Sequence, residues 1–532
     1  MDRGQDRGQN VAREGRLLQL LLVSTLTSGL ELCLAVGTVY LPPLLLQAGL
    51  EEHFMTMVLG VGPVLALVFV PLIGSASDGW SGRCGRRLPF VWVLCVGILL
   101  ALLIIPQASF LASTLQYQRV EVLVLVGGAC LLEFCGQACF TLLEALVSDL
   151  FPREEDSRWA FAIYSLLLSL GGCVGFLLPA VDWSHDATAQ LLGGQEAFVY
   201  TILTIVFFVC MLASAFISEE RTGAGGVGGV ADPRRKSLIR WCSPFRLQPL
   251  RVLAGMLLSV VPHLYRLTRG TPAVVWRLFA AELCSWMALE SFVLFYTDFM
   301  GEGLYSGTAS ALPESQARLL YDAGVRMASL GLFLQSVMWC VSSLLMERLL
   351  LVLGTRGVYL SSVGLMAFST AVMTVSQSAE LVTVMAAATG YTCSTLLVVP
   401  YTLNCLYHSE PQVFFPSNSA KQDRHVTKAQ PAASTLEPPN INGHPGGMPG
   451  TVPTLLQDSP PEASAKRGMG LDIAILNSAY FLSKVLPSLF LGSMVEALGT
   501  ARAYMGCACA LSLMALVLST RIVFQRQDVP LP

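Results

Sequence analysis

The chain has 532 residues, 54% of them hydrophobic and only 13% charged, with a formal net charge of −3 and a mean hydropathy of +0.61. Soluble domains carry about 25% charged residues, so this composition excludes a soluble protein, and no basic patch points to nucleic acid as a partner. The apolar residues fall in runs of about 20 between short polar stretches, the length that crosses a hydrocarbon core, which makes this an all-α polytopic membrane protein in contact with the lipid bilayer.

Residues 1–16 read as a cytosolic N-terminus, and the first apolar run, too long for a signal peptide and without a small-residue cleavage site, reads as a retained span. A first half over 17–218 holds spans near 17–45, 53–74, 89–111, 121–149, 159–180 and 197–218. A polar central loop follows over 219–276, with the Gly-rich run 223–229 as a flexible linker. Spans near 277–300, 324–346, 357–377 and 380–407 open the second half. Residues 408–469, with ten of the 28 prolines, read as a disordered loop. Spans near 471–495 and 501–524 and a cytosolic tail over 525–532 complete twelve crossings. With both termini in the cytosol, 28 of the 33 Lys and Arg fall in cytosolic segments; only Arg119, Arg318 and Arg502 lie outside, and Arg326 and Lys484 lie within spans. The positive-inside rule selects that orientation.

No phosphate-binding loop, zinc-protease, nucleophile-elbow or CxxC motif occurs, and the six histidines lack metal-ligand spacing, so no metal, cofactor or enzymatic chemistry is indicated. The fifteen cysteines lie mostly in apolar runs, where Cys behaves as a small hydrophobe. One feature recurs between the halves. Asp78 is followed by Arg83, Gly85, Arg86 and Arg87 between spans 2 and 3, and Glu347 and Arg348 are followed by Gly354 and Arg356 between spans 8 and 9. A carboxylate at a helix end can pair with arginines across a short loop in one conformation and release them in another, which suits a cytosolic gate.

The 6+6 plan with these loops resembles the major facilitator superfamily, whose two pseudo-symmetric six-helix halves rock about a midplane site. The segment GSASDGWSGRCGRRLPF (74–90) is similar to the signature of sucrose/proton symporters. FYTDFMGEGLYSG (295–307), YDAGVRMASLGLFLQS (321–336), VVPYTL (398–403) and LDIAILNSAYFLSKVLPSL (471–489) resemble further elements of the animal solute carrier 45 family, within the glycoside–pentoside–hexuronide:cation symporters. The opening of span 1 (28–50) and the run CGQACFTLLEALVSDLF (135–151) point to one branch of that family. The resemblance implies proton-coupled symport of sucrose, extending to glucose or fructose, by a monomeric transport unit of the plasma membrane rather than an internal one, with the proton as coupling ion. One departure stands out. Plant sucrose transporters carry an arginine in span 4 before an Ala-Leu-x-x-Asp-Leu element, whereas here Glu144 precedes Ala-Leu-Val-Ser-Asp149-Leu.

An ionisable group in a span costs about 2.5–3.5 kcal/mol on insertion scales and needs a reason. Glu31, Glu133 and Glu144 are the candidates for proton coupling; the last two are eleven residues apart, about three helical turns and ~16 Å along one face. Structural pairing with Arg326 or Lys484 is the alternative for each. Glu282, near the cytosolic entry of span 7, reads as structural, and Arg326 has Asp298 as its nearby partner. A sugar needs hydrogen-bonding groups around a stacking face. Gln137, Trp286, Tyr296, Gln335 and Asn404, with Asp298 and Arg326, are the substrate-binding candidates, and Tyr401 and Asn477 add to them. The competing readings are a transport-incompetent sensor or scaffold, a carrier of another small polar solute, and a sodium-coupled variant.

Overall fold

The computed structural model describes residues 2–78, 87–115, 118–151, 154–183, 187–191, 194–217, 271–312, 315–409, 414 and 469–525. The Gly-rich run, the central loop up to residue 270, and nearly all of the 408–469 segment lie outside them, as do Arg83, Gly85 and Arg86. Among the described residues, eleven helices are long and apolar enough to cross a membrane. They reproduce the hydropathy runs: Asp2–Gln47, Glu52–Asp78, Leu88–Ile104 with its continuation Ala108–Leu115, Gln118–Leu150, Glu154–Ala180 and Gln195–Ser214 are spans 1 to 6. Ala273–Asp298 is span 7, Ala379–Ala388 and Gly390–Ser409 make span 10, and Met469–Leu498 and Arg502–Ser519 are spans 11 and 12.

The apparent shortfall from twelve lies in Gln316–Val375, a stretch of 60 residues. A straight helix of that length would run about 90 Å, three times the hydrocarbon thickness. Its backbone breaks at Gly354, where φ is 70° and ψ 166°, so 316–353 is span 8 and 355–375 is span 9. Only glycine occupies that region without cost. Gly354→Ala is therefore expected to destabilise the protein by about 1–3 kcal/mol, measurable as a lower melting temperature in detergent. Residues 2–16 continue the helix of span 1 beyond its apolar run. Once a helix is nucleated, each added residue gains a hydrogen bond without a new nucleation cost.

Span 1 packs on span 5 and span 7 on span 12; the halves meet where span 2 lies on span 11 and span 5 on span 8. The span 2–11 contact is close at one end only. A Cβ at Gly492 would stand 2.4 Å from Thr56 Oγ1 and 2.5 Å from His53 Cα, and one at Gly60 would stand 2.1 Å from Ser488 Oγ. Further along the same two helices, toward the face that carries both termini, Leu67, Val70 and Gly74 of span 2 and Leu476, Asn477 and Ser478 of span 11 line a cavity instead. The two halves thus form a V that is shut at one face and open toward the terminal face.

Candidate functional site

The cavity measures ≈ 560 Å³ and is walled by spans 1, 2, 4, 5, 7, 8, 10 and 11. Glu31, Glu133 and Glu144 all reach it, as do Gln137, Trp286 and Gln335. At its closed end Lys484 Nζ of span 11 lies 3.1 Å from Glu133 Oε1 of span 4 and 4.0 Å from Glu290 Oε2 of span 7. Gln137 Nε2 donates to the same Glu133 oxygen at 3.2 Å, and the Lys484 ammonium stands 5.1 Å above the Tyr480 ring. Glu31 of span 1 is within electrostatic reach of all three charged groups. Four ionisable side chains from both halves thus converge, three acids on one base. With every group charged the cluster would carry two uncompensated negative charges in a poorly solvated place, so its charge balance calls for protons.

The wall around this cluster suits a polar solute with an apolar face. Trp286 and Tyr480 meet edge to face with centroids 5.0 Å apart. Glu282 Oε2 and Trp339 Nε1, both buried, have no hydrogen-bond partner among the described residues, and both residues line the cavity. Glu282, expected to be structural, also lines the cavity, because the face of span 7 that bears Glu282, Trp286 and Glu290 recurs about once per helical turn and turns inward. Tyr401 donates its hydroxyl to the Asn477 carbonyl oxygen, bracing spans 10 and 11 in the same wall.

Four expected substrate contacts are placed elsewhere. Tyr296 is fully buried between Phe292 and Phe299, and its hydroxyl sits against the bare backbone of Gly331. Asp298 is buried and accepts a hydrogen bond of 2.8 Å from Tyr321. Arg326 pairs not with Asp298 but with Asp182, across the halves at the closed face; Tyr321 bonds one oxygen of Asp298, and the other oxygen, Oδ2, is buried without a hydrogen-bond partner among the described residues. Asn404 is wholly buried and absent from the cavity wall. The segment 295–307 serves the closed face instead. After Asp298 the helix widens into a π-turn over Phe299–Leu304, and Tyr321 packs where Cβ atoms at Gly301 and Gly307 would stand within 2.6 Å and 2.3 Å of it. Further pairs bridge the halves there: Arg318 Nη2 lies 3.6 Å from Glu196, and His53 Nδ1 lies 3.1 Å from Glu496.

The expected gate is partly in view. Arg87 Nε donates to Asp149 Oδ2 at 2.6 Å, tying the start of span 3 to the end of span 4; the Asp78 side chain lies outside the described residues. Glu347 and Arg348 are exposed and, among the described residues, form no ion pair, while Arg356 is exposed beyond the Gly354 break. Sequence reasoning assigned no cavity role to Lys484, Tyr480 or Trp339. For Lys484 the signal was present, since a lone cation in the middle of a span is a functional residue by default.

A match to the Major Facilitator Superfamily covers residues 21–314. The chain is 47% identical over 546 residues to mouse solute carrier family 45 member 3 (prostein), covering 97% of each chain. It is 22% identical to rat proton-associated sugar transporter A, over 95% of this chain and 86% of that one. Among solved structures, the nucleoside transporter NupG superposes with a TM-score of 0.53 at 10% identity, covering 95% of this chain and 98% of the other.

Proposed function

This chain belongs to the major facilitator superfamily and, within it, to the solute carrier 45 family; it is a multi-pass membrane transporter and not an enzyme, and from that premise we propose that it carries out proton-coupled symport of sucrose, and of glucose and fructose, at the plasma membrane. The observation that carries this reading is the cluster of Glu31, Glu133 and Glu290 about Lys484, drawn from both halves and exposed to one cavity. The name of the rat relative supports the choice of sugar and proton, and the unpartnered Glu282 Oε2 and Trp339 Nε1 beside the Trp286–Tyr480 pair support a hydroxylated solute.

With the termini in the cytosol, as the distribution of Lys and Arg favours, the cavity faces the cytosol and the His53–Glu496, Arg318–Glu196 and Arg326–Asp182 pairs close the outside. In this inward-facing conformation Glu133 and Lys484 hold the two halves together at the apex of the V. A proton arriving on Glu133 neutralises it and removes the attraction, and a sugar that hydrogen-bonds the same wall compensates for the lost contact. The halves then exchange partners only when both are bound or both are absent, which is the condition for symport. Glu144 lies deeper toward the cytosolic mouth and offers a second carboxylate on the exit path of the proton.

The test is uptake of labelled sucrose into yeast lacking its own sucrose transport and cleavage, at acid and near-neutral pH, with and without a protonophore. Faster uptake at acid pH that collapses with the protonophore is the expected result. Absence of uptake by protein labelled at the cell surface would overturn the sucrose assignment; because Glu144 stands in the cavity, the departure at that position would then point to another small polar solute.

A further inference from the structure

The closed face holds a second group of acids, apart from the cavity. Glu52 begins span 2 in the first half, and a Cβ at Gly492 of span 11 would stand 2.9 Å from its carbonyl oxygen, so it sits where the two halves touch. Glu302 belongs to the π-turn that follows span 7 in the second half. The two carboxyl groups lie within hydrogen-bond reach of each other. Glu302 already accepts the backbone N–H of Ala309, whose carbonyl is held in turn by Arg318 Nη1 at 2.6 Å, so it is a fixed acceptor. Glu52 Oε2 is buried and finds no donor among the described residues.

The surrounding elements supply no positive charge to this pair. The charges in electrostatic reach of Glu52 are Glu302 and Glu496, and those in reach of Asp298 are Glu302 and Glu52. Asp298 is only 2% exposed, and its Oδ2 has no partner among the described residues. On span 12 the Tyr504 hydroxyl is likewise buried and unpartnered, in reach of the same Asp298, Glu52 and Glu302. On span 8 Tyr321 donates to Asp298. The bases of this face are engaged elsewhere: His53 with Glu51 and Glu496, Arg318 with Glu196 and Asp322, and Arg326 with Asp182. Arg502 reaches the π-turn with its stem, a Cβ at Gly303 standing 3.7 Å from its Cγ, and among the described residues it forms no ion pair. Glu52, Asp298 and Glu302 do not converge as metal ligands would; the donors that do so at this face are Glu51, His53 and Glu496.

Two carboxylates in hydrogen-bond reach repel when both are ionised, whereas one proton turns the same contact into a charge-assisted hydrogen bond. We propose that Glu52 and Glu302 share one proton whenever the outer face is shut, Glu52 donating to Glu302, and that the pair is a proton site of the outer gate, distinct from the cluster about Lys484. The proton comes from the external solution and returns to it when the first half parts from the second and both carboxyl groups are solvated and ionised. The shut state thus holds one proton more than the open state. Raising the external pH therefore favours opening, by about tenfold per pH unit. The proposal rests on the orientation proposed above and not on the sucrose assignment.

Cells displaying the full-length chain, with no sugar present, are treated from outside with an impermeant thiol reagent at acid and at alkaline pH. Labelling of Cys393, a free thiol in the cavity wall, is read per chain at the surface, with Cys393→Ser as background. Comparing two chains at one pH cancels the pH dependence of the thiol reaction itself. Glu52→Gln offers Glu302 the donor that protonated Glu52 offers and has no proton to lose, so it should stay shut. The ratio of labelling, unaltered chain over Glu52→Gln, is expected near unity at acid pH and at least about tenfold at alkaline pH. Glu302→Gln, donating in the reverse sense, should match Glu52→Gln, and it decides the matter if that variant does not reach the surface. A ratio equal at both pH values, or an unaltered chain labelled no faster than the variant at alkaline pH, would overturn the proposal by making the contact merely structural. Lack of sucrose uptake would leave these ratios unchanged.

Discussion

Lys484→Ala is expected to lower proton-driven uptake by at least about 100-fold, the equivalent of ~2.7 kcal/mol or more in the transport barrier, and to destabilise the protein as well. The lysine lies 3.1 Å from Glu133 and 4.0 Å from Glu290, and its side chain is only 17% exposed. Its loss leaves carboxylates in a poorly solvated cavity with no cation, and removing one partner of a buried pair costs about 3–5 kcal/mol. The variant can escape that cost only by holding protons permanently, which uncouples it. The double variant Glu133→Gln/Lys484→Met removes the pair together and is expected to recover most of the stability while uptake stays indifferent to a protonophore. Thermal unfolding in detergent and uptake with and without protonophore separate these effects. Full proton-driven uptake by Lys484→Ala would remove the cluster from the coupling mechanism.

The second large effect is expected from Gly492→Val, which should trap the opposite conformation. A side chain there meets Thr56 Oγ1 at 2.4 Å and His53 Cα at 2.5 Å as soon as spans 2 and 11 close. Overpacking of this kind costs about 1–3 kcal/mol, which shifts a two-state equilibrium by roughly 5–150-fold. Parting of spans 2 and 11 in an open-outside state would relieve that contact. Cys393, a free thiol in the cavity wall, reports the shift: an impermeant thiol reagent applied from outside should label it much faster in Gly492→Val, with Cys393→Ser supplying the background from the other cysteines. Unchanged labelling would mean that the span 2–11 contact does not control outside access.

Much of the architecture was legible because it is written in one dimension. The span count follows from apolar runs set against bilayer thickness, and the break between spans 8 and 9 was marked by Gly354 with its neighbouring charges even though the helices run together there. The acids of the site were legible too, since a carboxylate inside an apolar run is conspicuous. What could not be read was which charge faces which. Glu133 and Lys484 are 351 positions apart and Arg326 and Asp182 are 144 apart; their pairing depends on how the two halves dock. Proximity in sequence suggests Asp298 as the partner of Arg326, but docking of the halves brings Asp182 to the arginine instead. The same limit misassigned Tyr296 and Asn404, for a polar residue on a helix can face a neighbouring helix as easily as a cavity.

The single-residue break at Gly354 leaves no slack between a helix that walls the cavity and one that does not. A tilt imposed on span 9 by a thicker or thinner bilayer must therefore be delivered almost whole to span 8, and through it to the Arg326–Asp182 contact. The thickness of the surrounding membrane would in this way set how readily the carrier turns over.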